Sequence, residues 1–161
     1  MTSASGMNVD YINPFIEATV TTFQSMCSLV VAREKVFLKG NDQVNYGVSG
    51  IIGLAGEAQG AVVLSFPEDT ARKVISKLVG EEFDSINASV VDGVGELTNI
   101  VAGDAKNRLV QKGYKFDLGL PRIVSGRSHI AAQSRGVQCL VITFKSECGP
   151  FSLEVSLKKI G

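Results

Sequence analysis

The segment Asp92-Gly-Val-Gly-Glu96-Leu-Thr-Asn99 carries the residues best suited to chemistry, and it lies on what reads as the longest helix of the chain. At about 100° per residue, Asp92, Glu96, Asn99 and Gly103 fall on one narrow stripe. Val94, Leu97, Val101 and Ala105 fall on the opposite face and are expected to be buried. A carboxylate and a carboxamide then stand one turn apart on the exposed side of a rigid element. A carboxamide does not transfer protons at neutral pH, but it donates and accepts hydrogen bonds at once and can orient a water molecule. Glu96 can act as a base or bind a cation. Asp92 can add to that charge or simply favour the positive end of the helix. Gly103, mid-helix, costs roughly 0.8–1 kcal/mol relative to alanine. It either clears a landing area for another molecule or lets a neighbouring element of the same domain pack closely.

Other apparent motifs carry less. Gly53-x-x-Gly56-x-x-x-Gly60 resembles a phosphate cradle, but it joins two strands and lacks the following helix and the Lys-Ser/Thr of a P-loop; it reads as a hairpin turn. His129 is the one histidine, which excludes a multi-histidine metal site and argues against a Ser-His-Asp triad. Ser125-Gly126-Arg127-Ser128 reads as a turn or strand end rather than an anion site. Asp42 and Asp117 are scattered loop acids with no companion ligands beside them.

The elements that must carry the stripe follow from periodicity. From Asn8 to about Ala32 the apolar residues Ile12, Phe15, Ile16, Val20, Phe23, Met26 and Leu29–Val30 recur at helical spacing, with Pro14 tolerated in the first turn. Strands are expected at Lys35–Lys39, Val44–Leu54 and Ala58–Phe66, the last two flanking a turn at Ala55-Gly56-Glu57. A short helix opens at Ser65-Phe-Pro67-Glu68-Asp69, with Ser65 as the capping hydroxyl, and ends at Gly80. Asn87 or Ser89 caps the long helix, which should reach Gly113. Three more strands are expected near Pro121–Ser128, Val137–Lys145 and Phe151–Lys159. The order predicts an α+β fold: two α-β-β-β halves plus one extra helix, forming an antiparallel sheet structure covered by helices.

Composition bounds the rest. The chain has 161 residues, 45% of them apolar, which suits one domain over residues 8–161 behind a disordered tail at 1–7. Sixteen basic and sixteen acidic residues cancel, so nothing favours nucleic acid or an anionic membrane as a partner. No apolar run approaches the roughly 20 residues of a membrane-spanning helix. The first residues lack the basic and apolar regions of a signal peptide. Cys27, Cys139 and Cys148 are odd in number and form no CxxC pair, pointing to buried, inert thiols in a reducing, cytoplasmic setting.

The run Asp92-xxx-Glu96-xx-Asn99, followed some twenty residues later by Pro121, closely resembles the active-site signature of the CheC/CheX/FliY family of chemotaxis phosphatases. The flanks Gly95-Glu-Leu-Thr-Asn99-Ile-Val-Ala-Gly103 and Pro121-Arg-Ile-Val-Ser-Gly-Arg127, with the opening Tyr11-Ile-Asn-Pro-Phe-Ile-Glu-Ala18, are similar to the CheX branch in particular. The resemblance spans roughly residues 8–159 and implies a CheC-like fold. It also implies hydrolysis of the aspartyl phosphate of a phosphorylated CheY-like receiver domain. Asn99 would position the attacking water, Glu96 would engage the partner's active-site lysine, and Asp92 and Gly103 would belong to the partner-binding surface. The chain would need no cofactor of its own, because Mg²⁺ would reside in the partner receiver. In the first helix, Asn13-xxx-Glu17-xx-Val20 repeats the spacing with valine in place of asparagine, so one active site per chain is expected. Members of the CheX branch are associated with homodimers, for which an apolar strand such as Val137–Phe144 could supply an interface. A non-catalytic chemotaxis or flagellar-switch adaptor that binds the phosphorylated receiver is the alternative. It would use the same face but would not require a water-orienting amide.

Overall fold

Apolar stripes at helical spacing and apolar alternation at strand spacing sort this chain into one helical layer on one antiparallel sheet. The computed structural model describes residues 9–40, 45–129 and 139–159, so the tail expected at 1–7 lies outside the described residues. A 3-10 turn at Val9–Tyr11 leads into α1 (Ile12–Cys27), followed by β1 (Ala32–Leu38), β2 (Asn45–Gly56) and β3 (Ala58–Phe66). Next come α2 (Glu68–Val79), α3 (Ala88–Val110), β4 (Phe116–Leu118), β5 (Arg122–His129), β6 (Leu140–Lys145) and β7 (Phe151–Lys159).

Neighbouring strands run β1-β6-β7-β3-β2, and the free edge of β2 is shared by β5 and β4. β5 pairs with Asn45–Ile51 and β4 with Leu54–Gly56. Read through β5, the order is unchanged when β1 exchanges with β5, β2 with β6 and β3 with β7. The two halves inferred from element order are therefore related by a local two-fold between the adjacent strands β3 and β7. α1 and α3, the helices that open the halves, pack against each other. α2 and the short strand β4 stand outside the repeat. β4 has no counterpart in the sequence-based expectation, because three residues are too few to show a period.

Three local expectations need correction. The first helix stops at Cys27 rather than near Ala32, where Ser28 takes the left-handed conformation at φ 50°. Beyond it Leu29 is buried, Val30 is 75% exposed and Val31 is buried, a period of two that belongs to an extended segment. Ser65 does not cap α2: it is the penultimate residue of β3, and its hydroxyl bonds that of Ser49 at 2.8 Å. Pro67 itself holds the cap position, and Gly80 closes the helix in the left-handed region. The apolar segment suggested as a dimer interface is also spoken for. β6 lies between β1 and β7, and Leu140, Val141, Ile142 and Phe144 are buried within the chain, while residues 137–138 lie outside the described set.

The main core lies between the helices and one face of the sheet. Phe23, Phe66, Phe144 and Phe151 form an aromatic cluster there, with the Phe23 and Phe151 rings stacked at 4.7 Å. The other face buries Ile51 and Val63 against Val124, and also a charged pair. Glu154, in register with Val63 and Val141, accepts a 2.7 Å ion-pair bond from Lys39 Nζ, and both side chains are shielded from water. All three cysteines are buried and unbridged.

Candidate functional site

Every functional candidate on α3 is placed by the way that helix is started and seated. Asn87 caps it, its Oδ1 accepting the backbone N–H of Val90 at 3.0 Å. Such a cap is worth about 1 kcal/mol over alanine. The buried stripe comprises Val94, Leu97, Val101 and Ala105, all with no exposed surface, as the spacing required. Thr98 is buried as well; its hydroxyl donates to the Val94 carbonyl at 2.7 Å, satisfying a polar group that faces the sheet.

Two glycines near the start of α3 work as spacers. A Cβ on Gly93 would stand 2.8 Å from Ile75 of α2, and one on Gly95 would stand 3.3 Å from Ile123 of β5. A methyl at Gly93 would force α3 or Ile75 to shift, whereas one at Gly95 asks only a few tenths of an ångström of the Ile123 side chain. Gly103 is different: a Cβ there would meet nothing within 4 Å. Close packing inside the domain therefore does not explain it, and its effect is to keep the outer surface of α3 low.

Asp92, Glu96 and Asn99 are exposed on that outer surface, with Gly103 half-buried one turn further on. Among the described residues, no side-chain hydrogen bond or ion pair engages Asp92, Glu96 or Asn99. Two carboxylates and one amide thus project from a rigid helix with their bonding capacity available to another molecule. Farther along α3 the surface is closed. Arg108 bonds Asp104 at 3.2 Å, Glu17 of α1 at 3.2 Å and the Thr21 hydroxyl at 3.4 Å. By the spacing it shares with Asp92, Glu96 and Asn99, Glu17 holds on α1 the place that Glu96 holds on α3, so one such acid is tied down within the chain and the other is not.

The remaining motifs resolve as backbone structure. Gly53, Gly56 and Gly60 belong to the β2–β3 hairpin, with Leu54 opposite Gly60. Ser125, Gly126, Arg127 and Ser128 lie within β5, and Pro121 precedes it, half-buried. His129 ends that strand opposite Asn45. Asp117 lies on β4, 3.7 Å from Lys106. Asp42 is outside the described residues. No described helix is long and apolar enough to cross a membrane.

Sequence reasoning missed the concave surface beside the acidic end of the stripe. Met26 of α1 and Val79 of α2 come to the edge of α3 there and remain exposed, at 37% and 47%. The available signal was their position at the last turns of two helices whose apolar faces are otherwise covered.

A family model described as chemotaxis phosphatase CheX matches residues 48–145. Thermotoga maritima CheX, a CheY-P phosphatase, is 27% identical over 158 residues, covering 96% of this chain and 100% of that one. A CheC-like superfamily protein from Shewanella sp. PV-4 is 37% identical with a TM-score of 0.87, over 94% of this chain and 99% of that one. The chemotaxis protein in the crystal structure of a CheX–CheY–BeF3–Mg²⁺ complex from Borrelia burgdorferi is 28% identical, with a TM-score of 0.80, over 94% of this chain and all of that one.

Proposed function

This chain belongs to the chemotaxis phosphatase CheX family, and from that premise we propose that it hydrolyses the aspartyl phosphate of a CheY-like response regulator. The relative from Thermotoga maritima is a CheY-P phosphatase, and the relative from Borrelia burgdorferi crystallises with CheY. The observation that carries the residue roles is the pair Glu96 and Asn99, exposed and unengaged among the described residues, one turn apart on a helix whose next turn is cleared by Gly103.

On this reading α3 enters the cleft of the receiver. The Asn99 amide holds a water in line with the bond between phosphorus and the aspartyl oxygen. Water oxygen bonds to phosphorus, that P–O bond breaks, and the products are inorganic phosphate and the free aspartate of the receiver. An acyl phosphate is already activated, so fixing the water suffices and no strong base of this chain is needed. Glu96 pairs with the receiver's active-site lysine and sets the register, and Asp92 adds negative charge one turn away. Mg²⁺ belongs to the receiver and neutralises phosphoryl charge there. We further propose a cytoplasmic setting and a homodimer, both from the resemblance to CheX and neither from the site itself.

Phosphate release from a phosphorylated receiver, with Mg²⁺ present, tests this with wild type and Asn99→Ala in parallel. Acceleration that falls on the order of 100-fold in the variant is expected. Its side chain is exposed, so the fold should persist. Full activity in Asn99→Ala sinks the mechanism. Binding without acceleration by wild type turns the reading into that of an adaptor.

A further inference from the structure

The ends of α1 and α2 and the first turns of α3 enclose an open groove of about 460 Å³. Met26, Leu78 and Val79 supply its apolar side, Ser25 and Ser89 add hydroxyls, and its floor runs along Asp92, Gly93 and Glu96. The groove is continuous with the acidic stripe, because Asp92 and Glu96 line both. The missing side chain of Gly93 lets α2 approach α3 and so sets how far the apolar wall stands from the two carboxylates.

An interface of standard size covers roughly 800 Å² on each partner, far more than two side chains on one helix. Docking through Glu96 and Asn99 must therefore extend onto flanking surface. The groove runs along α3 from Asp92 to Glu96, whose Cα lies about 4.5 Å along the helix axis from that of Asn99. It offers an apolar side, exposed at Met26 and Val79 and half-buried at Leu78, beside carboxylates that no described residue pairs. Its complement is a side chain with an aliphatic body and a basic group next to it.

We propose that this groove is a specificity pocket for the receiver domain, in which Met26, Leu78 and Val79 cover an aliphatic side chain of the receiver while Asp92 pairs with a neighbouring cationic group. The assignment rests on the phosphatase reading and adds to it a second anchor, separate from the lysine held by Glu96. Receivers with equivalent catalytic clefts would then be told apart by what they present to the groove.

Met26→Asp and Val79→Asp test the assignment at two exposed positions, with thermal melting to confirm that each variant folds. Val110→Asp, exposed at the far end of α3, serves as the control. Affinity for the beryllofluoride-activated receiver should drop about tenfold or more in the groove variants and stay at the wild-type value in the control. The receiver concentration giving half-maximal phosphate release should rise by the same factor, with the rate at saturation held within about twofold. Unchanged affinity in both groove variants overturns the pocket while leaving the catalytic reading intact. A change of oligomeric state with unchanged receiver affinity assigns the groove to a second copy of this chain, and also overturns it. Wild type that neither binds nor dephosphorylates the receiver overturns the phosphatase reading, and the pocket with it.

Discussion

Gly50 of β2 and Thr98 of α3 meet where a methyl group has no room: a Cβ on Gly50 would collide with the Thr98 hydroxyl and stand 3.0 Å from the Thr98 Cβ. Thr98 directly precedes Asn99 in the chain. The height at which the Asn99 amide is carried above the sheet is therefore set by a strand residue on the buried side of the helix.

That relationship makes Gly50→Ala a test of positioning. Overfilling a packed site costs roughly 1–3 kcal/mol, and relief by lifting α3 would move Asn99 with it. Turnover of phosphorylated receiver should drop although every exposed site residue is intact, and Thr98→Ala in the same chain should recover part of the loss. Urea unfolding and phosphate release on the single and double variants form a cycle. Additive effects would show that the two positions act independently.

The two glycines Gly93 and Gly103 should respond oppositely to alanine. At Gly103 the new methyl meets open space, so helix propensity alone acts and stability rises by up to about 1 kcal/mol. At Gly93 the methyl would press on buried Ile75 at 2.8–2.9 Å, a clash that outweighs the same propensity gain. Thermal melting of both variants decides the signs. Gly103→Phe should fold as well as wild type yet lose affinity for the activated receiver; retained affinity would remove Gly103 from the docking surface.

Asparagine at position 20 should not create a second active site. Exchanging it for Val20 would complete the Asn13, Glu17, Val20 spacing of α1, but Glu17 is bonded to Arg108 at 3.2 Å, and Gln24 occupies the place that Gly103 holds on α3. The double variant Asn99→Ala/Val20→Asn should be as inactive as Asn99→Ala alone. Recovered phosphate release would disprove the one-site reading.

The buried thiols set an alkaline limit to stability. Burial pushes Cys27 from 9.0 up to about 11, and burial with nearby Glu154 pushes Cys139 up to about 12. The folded state therefore disfavours the thiolate. For Cys27 the contribution is fully present below pH 9 and is lost as pH rises from there through about 11, since the unfolded thiol gives up its proton first. Urea midpoints should decline across that window, and native thiols should react with alkylating reagents at neutral pH far more slowly than unfolded ones. Equal reaction rates in the two states would contradict the burial.

Much of this protein was legible without coordinates. The stripe Asp92, Glu96, Asn99, Gly103 needed only the helical period, because each position's face follows from its number along one element. The strand at Phe151–Lys159 and the repeat of a helix followed by three strands were equally local, while the cap was narrowed to Asn87 or Ser89 and the structure selects Asn87. Two of the misses came from a distant partner: Ser65 is held by Ser49 across the sheet, and Leu140–Phe144 is enclosed by β1 and β7 rather than presented at an edge.

Local periodicity determined which residues face outward together, since that depends on backbone geometry alone. Tertiary packing decided which of them are available. Glu17 and Glu96 occupy matching places in two matching halves, and no pattern along the chain predicts that Arg108 closes one while the other stays open. The ambiguity of Gly103 was resolved in the same way, by the emptiness around it, and the groove exists only where three helix ends far apart in sequence converge. Availability is a property of neighbours, and neighbours remote in sequence are set by the fold.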